Sequence, residues 1–278
     1  GKVWDGTCAL YFNGGSGTEA DPYQIATAEQ LYLLSAVIGR FDFSDRRNYK
    51  DYVGYARKVV ADQEAQTNEY LSKAYYKLNA DIILNDSSTF NNWIPIGRNY
   101  ANDYNNMSLF SGSFDGCNHT IDGIRFGDGY TVILSVGLFS SNTSESTIKN
   151  VTIGSGYIHG NRTSGGLVGE NRGTVENCIN KAAISSQVAI AGGLVGANSG
   201  TVKNCQNTGD ITANACAGGI VGSNIGKVES CQNIGKLNGR DSTIGGVVGI
   251  NTNNHEFFPN YQEGTVTNCT SPKGLVPN

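Results

Sequence analysis

The sequence predicts a mainly β protein, a parallel β-helix with about 27 residues per coil and an α-helical cap at its N-terminal end. Three observations predict it. The phrase GGLVG recurs as GGLVG at 165–169 and 192–196, GGIVG at 218–222 and GGVVG at 245–249, at intervals of 27, 26 and 27. A second phrase keeps step with it: GTVENC at 173–178, GTVKNC at 200–205, GKVESC at 226–231 and GTVTNC at 264–269. Glycine supplies 37 of 278 residues against only 5 prolines, a balance that suits a turn-rich β protein and not collagen or a disordered chain.

A fixed period of this length means a solenoid, a propeller or an array. Each unit reads as three short strands of β-branched residues separated by Gly and Asn. A helix has no room in it, and a propeller blade needs about 40 residues and four strands. One coil of a β-helix fits. Equivalent residues then stack at about 4.8 Å, and the stacks can be written down. Leu167, Leu194, Ile220 and Val247 form one apolar column; Val175, Val202, Val228 and Val266 form another. Asn171, Asn198, Asn224 and Asn251 form an asparagine ladder at a turn, where amides bond from coil to coil and tolerate left-handed backbone. Asn180, Asn207 and Asn233 form a second.

Cys178, Cys205, Cys231 and Cys269 are one stack of inward, reduced thiols. Their parallel Cβ vectors are poor geometry for a disulfide. The seven cysteines are odd in number and contain no CxxC pair, against both a disulfide framework and a zinc site. Glu176, Lys203 and Glu229 alternate in sign on the outside, a solvated face whose neighbours attract.

Upstream the same grammar loosens. VGLFSSN at 136–142 and STIKNVTIG at 146–154 match the two phrases, with Val151 in the cysteine position. GSFDGCNHTIDGIRF at 112–126 and YYKLNADIILN at 75–85 read as earlier strands. The solenoid therefore spans 75–278 as one unit, with roughly seven coils and about 35 Å of stack. Residues 1–74 form the capping region. Thr27 and Gln30 make a capping box ahead of Leu31, Leu34 and Ile38 on one helical face, and a second helix is expected near 48–66 with Tyr52, Tyr55 and Val59 at helical spacing.

In that order, GSGTEADPYQIATAEQL, YYKLNADIIL, NWIPIG, GSFDGCNHTIDGI, VGLF and the repeated GGLVGxN with GTVxNC resemble bacterial secreted and surface proteins carrying the GLUG motif. They also resemble non-catalytic regions of IgA-protease-like surface proteins. The resemblance runs from about residue 14 to 271. It implies a right-handed parallel β-helix, export from a bacterium, a secreted or cell-surface location and an adhesin-like role. It implies no catalytic residue. Residues 41–70 and 252–263 depart from the pattern.

Composition and motifs limit the chemistry. Net charge is −4 with no basic run, so nucleic acid is not expected as a partner. No apolar run reaches the ~20 residues of a transmembrane helix, and the opening GKVWDG does not read as a signal peptide, which does not argue for a cytoplasmic place. The carboxylates of the clear repeats, among them Asp210 opposite Ala183 and Lys236, form no stack. Asp115 and Asp122 flank His119 in a phrase that reads as a structural corner. The chain is thus expected to be no enzyme, with no metal and no cofactor, and to act as a binding or stalk module. The alternative is a carbohydrate-active β-helix enzyme, a polysaccharide lyase or glycoside hydrolase. Two interruptions of the repeat carry the candidate ligand contacts: Tyr100 and Tyr104 within 97–110, and Phe257, Phe258 and Tyr261 within 252–263. Rings among asparagines suit a carbohydrate or a host or cell-surface protein, or else fold back to seal the flank.

Overall fold

A computed structural model describes residues 1–38, 68–97, 109–127, 133–239, 243–251 and 263–272. The chain winds as a parallel β-solenoid. Thr147, Thr174, Thr201 and Lys227 open successive strands of one sheet, at intervals of 27, 27 and 26 residues.

Each coil contains five short strands, not the three read from the sequence. In one coil they are Thr174–Glu176, Ile179–Asn180, Ala183–Ser186, Ile190–Gly192 and Val195–Asn198. Stacking these positions builds five parallel sheets, here numbered first to fifth in that order, with eight, six, five, five and five strands. The missed strands have two or three residues, too few to show an alternation.

The repeat fixes the register. Val175 lies between Ile148 and Val202, and Val202 is paired in turn with Val228. Val175, Val202 and Val228 are buried, as are Leu167, Leu194, Ile220 and Val247. Cys178, Cys205, Cys231 and Cys269 are buried and free. Both asparagine ladders form. Asn142, Asn171, Asn198, Asn224 and Asn251 are linked by Nδ2–H donation to the next Oδ1, each 2.8 Å long. Asn180, Asn207 and Asn233 are linked at 2.8 and 2.9 Å.

The left-handed backbone lies elsewhere than expected. It falls on Asn177, Asn204, Ser230 and Asn268, at φ 53°, 52°, 52° and 52°, each just before a ladder cysteine. Asparagine visits this region at low cost, which explains the Asn of the Asn-Cys pair. The ladder asparagines are held by their amides instead.

The GGLVG phrase places three glycines for three different close approaches. A Cβ on Gly192 would strike the Val195 carbonyl, one on Gly193 the carboxamide of Asn207, and one on Gly196 the Thr163 methyl that packs over it.

Outside, the charge column is longer than the repeat alone showed. Lys77, Asp115, Lys149, Glu176, Lys203 and Glu229 are successive neighbours of alternating sign. Lys203 lies 3.0 Å from Glu176 and Lys149 lies 3.8 Å from Asp115.

At the N-terminal end, α1 (Ala28–Ile38) starts as predicted. The Thr27 hydroxyl accepts from the Gln30 N–H at 3.3 Å, and the Gln30 side chain accepts from the Ala26 N–H at 2.8 Å. Leu31, Leu34 and Ile38 are buried. A short α2 (Asn68–Lys73) precedes Tyr75. The helix expected near 48–66 lies outside the described residues. The first sheet begins before α1: Tyr23–Ile25 pairs in parallel with Tyr75–Leu78, so one rung sits within the stretch assigned to the cap.

Candidate functional site

The insertions that carry the expected ligand contacts leave from one corner of the solenoid. Tyr100, Tyr104, Phe257, Phe258 and Tyr261 lie outside the described residues, but the roots of both insertions are described. Before the first, Ile96 bridges to Phe139 in the fifth sheet, and the Gly97 carbonyl accepts from the Ser141 N–H at 3.0 Å. After it, Phe110 bridges to Asn142, the first rung of the long asparagine ladder. Phe110 itself points inward, its ring centroid 4.9 Å from that of Phe139.

The second insertion leaves at Asn251, the last rung. The Asn251 Nδ2 donates to the Gly264 carbonyl at 2.7 Å, and the Gly264 N–H donates to the Asn251 carbonyl at 3.2 Å. Its two ends are thus tied together without help from the loop. The described roots of both insertions lie on the edge between the fifth and first sheets. Five rung steps of about 4.8 Å separate them, about 24 Å. The side chains along that edge include exposed Arg172 and Ser199.

Carboxylates elsewhere hold the backbone. Asp115 accepts from the Cys117 N–H at 2.8 Å and the Asn150 amide at 3.0 Å. Asp122 accepts from Ser155 N–H and Oγ–H at 2.6 and 2.7 Å. His119 does not join either aspartate; its Nδ1 lies 3.0 Å from Asp81, a partner the sequence did not indicate. The Thr120 N–H and the His119 ring both donate to Asp81, and hold its carboxyl below the usual range. Glu170 takes the Ser135 hydroxyl at 2.7 Å and lies 3.8 Å from Arg172. Among the described residues, no three His, Cys, Asp or Glu side chains converge as metal ligands would.

One grouping escaped the sequence. On the third sheet, the Arg125 guanidinium lies 4.3 Å from the centroid of the Phe90 ring and 5.9 Å from that of Tyr157. Phe90 is 75% exposed and Tyr157 39%.

Fold and repeats together define a glycine-rich parallel β-solenoid. The GLUG motif model matches residues 189–212 and 241–271. Halomucin of Haloquadratum walsbyi is 29% identical over 130 residues, which is 44% of this chain and 1% of halomucin. The chain thus spans a very small part of that relative. Among solved structures, a candidate immunoglobulin A1 protease from Bacteroides ovatus superposes with a TM-score of 0.54 at 18% identity, over 94% of this chain and 78% of its own. At that identity the likeness is one of fold. No described helix is long and apolar enough to cross a membrane.

Proposed function

We propose that this chain is a non-catalytic, adhesin-like binding module of a secreted or cell-surface protein, with the two corner insertions as its ligand contacts. The observation that carries the reading is the common origin of both insertions. The repeat is broken at 97–110 and at 252–263, and the described roots of both aromatic-bearing insertions lie beside the same asparagine ladder. Loops on a rigid scaffold are the usual seat of binding. The halomucin and immunoglobulin A1 protease names of the relatives support a place outside the cell, and a module within a longer chain.

A glycan array and a cell-binding assay test it. Binding to a carbohydrate or a cell-surface protein is expected, and changing Phe257 and Phe258 together to Ala should abolish it while melting hardly moves. If melting instead drops as for buried rings, roughly 3 kcal/mol or more, and binding persists, the loop at 252–263 is a plug and the reading fails. Cleavage of a polysaccharide by the purified chain would replace it with the enzyme alternative.

A further inference from the structure

The outer face of the third sheet is unlike that of the first. On the first, charges of opposite sign stand beside one another and satisfy each other. On the third, one outward column runs Arg125, Tyr157, Ala183, with Asp210 beside Ala183 in the next coil. The adjacent column runs His159, Ser185, Thr212, Asn238, all hydrogen-bonding groups at strand spacing. Arg125 heads the face and forms no ion pair with a carboxylate among the described residues.

Phe90 is held there deliberately. It ends a loop clamped by buried Asn85, whose Nδ2 donates to the Asn91 and Gly123 carbonyls at 2.8 Å each, while its Oδ1 accepts from the Asn91 N–H at 2.6 Å. Asn91 in turn donates to the Trp4 carbonyl at 2.8 Å. The ring packs against the Arg125 guanidinium and is otherwise open to solvent; fixed in advance, it lowers the cost of ordering a ligand contact. Beyond Tyr157 the column continues with the small side chain of Ala183.

We propose that this face is a second binding site, a strip for a chain of carboxylated sugars lying along the solenoid axis. The sugar carboxylate pairs with the Arg125 guanidinium, whose planar fork matches it. The sugar ring stacks on Tyr157 above Ala183, as apolar C–H faces stack on aromatic rings. Its hydroxyls meet Thr212 and Asn238, one rung at a time, beyond the His159–Ser185 pair, whose Nδ1 and Oγ lie 2.7 Å apart. The inference rests on the reading of the chain as a binding module, but not on the insertion loops.

The test is calorimetric titration of the full chain with oligogalacturonate, with uncharged oligogalactose and poly-glutamate as comparisons. Oligogalacturonate should bind, and oligogalactose and poly-glutamate about tenfold more weakly or not at all. Tyr157→Ala and Arg125→Ala should each weaken binding about tenfold with melting unchanged, and Tyr157→Phe should retain it. Lys203→Ala, on the outer face of the first sheet, should bind oligogalacturonate as the parent does. Failure to bind oligogalacturonate, or equal affinity for oligogalactose, overturns the proposal while leaving the corner loops untouched. Equal affinity for poly-glutamate would make the strip an acidic-peptide site and overturn it too. Loss in the Phe257/Phe258 variant with Tyr157→Ala unaffected would move the site to the corner.

Discussion

Cys205 shows what one position of the repeat is chosen for. Its predecessor Asn204 turns the chain at φ 52°, and the thiol then points into the core. Each ladder thiol leans back on the carbonyl two residues before it, at 3.1–3.2 Å in all four coils. A small apolar group with a weak donor fits that corner, and Val151 fills it upstream without the donor. Burial pushes the Cys205 thiol well above its ordinary value. Cys231 is pushed up to about 12, first by its hydrogen bond with Cys205 and then by burial, and burial pushes Cys216 up to about 12. In the unfolded chain these thiols ionise near 9.0. Their contribution to stability is therefore complete below pH 9 and is lost as pH rises toward 12, at about 1.4 kcal/mol per pH unit per thiol. Urea unfolding between pH 8 and about 10.5 should show the decline. Cys231→Val should flatten it by one thiol's share; an identical slope in that variant would refute the account.

At the level of the element, the corner ladder is the device that joins coils. Asn198 accepts from Asn171 and donates to Asn224 and to the Gly200 carbonyl at 3.1 Å, all in a buried setting. Asn198→Ala leaves the neighbouring amides short of partners and should cost about 1–3 kcal/mol in urea unfolding. Asn251→Ala, at the half-buried end of the ladder, should cost less. Equal losses at the two positions would mean that the amides add little beyond their backbone. These ladders were legible in the sequence because they obey the coil period. The same period revealed the thiol stack, and the capping box revealed the start of α1. The left-handed turn was misplaced because both Asn positions of the unit suit one by type, and only backbone geometry separates them. The Phe90, Arg125 and Tyr157 grouping was not legible. These residues are 35 and 32 positions apart, in coils whose lengths depart from the repeat, so no period aligns them. The corner shared by the insertions was hidden for the same reason: strand pairing at Ile96 and Phe110, not sequence spacing, assigns the first insertion to its edge.

Across the whole molecule the core tapers. Down the inward column of the first sheet the residues are Tyr23, Tyr76, Phe114, Ile148, Val175, Val202, Val228 and Val266. Rings also pack between rungs at the N-terminal end, with Tyr23 to Tyr76 at 5.5 Å and Phe114 to Phe139 at 5.4 Å. Trp4, Tyr32 and Trp93 join α1 to the same cluster. At the other end Val266, Leu237 and Ile244 are only partly buried. Burial stabilises in proportion to apolar area, about 25 cal/mol per Å², so the early coils hold more than the late ones. A solenoid is bound chiefly by nearest-neighbour contacts and opens from its weaker end. Hydrogen exchange should therefore release the amides of Thr265–Thr267 and Lys227–Glu229 before those of Tyr75–Leu78 and Ser113–Asp115. Phe114→Ala should cost about 3–5 kcal/mol and weaken protection along the whole stack. Val228→Ala should cost less than half of that and speed exchange only in the coils around it. Uniform protection from end to end, or earlier opening at Tyr75–Leu78, would show that the taper does not govern stability and that the small-residue coils are held by their ladders alone.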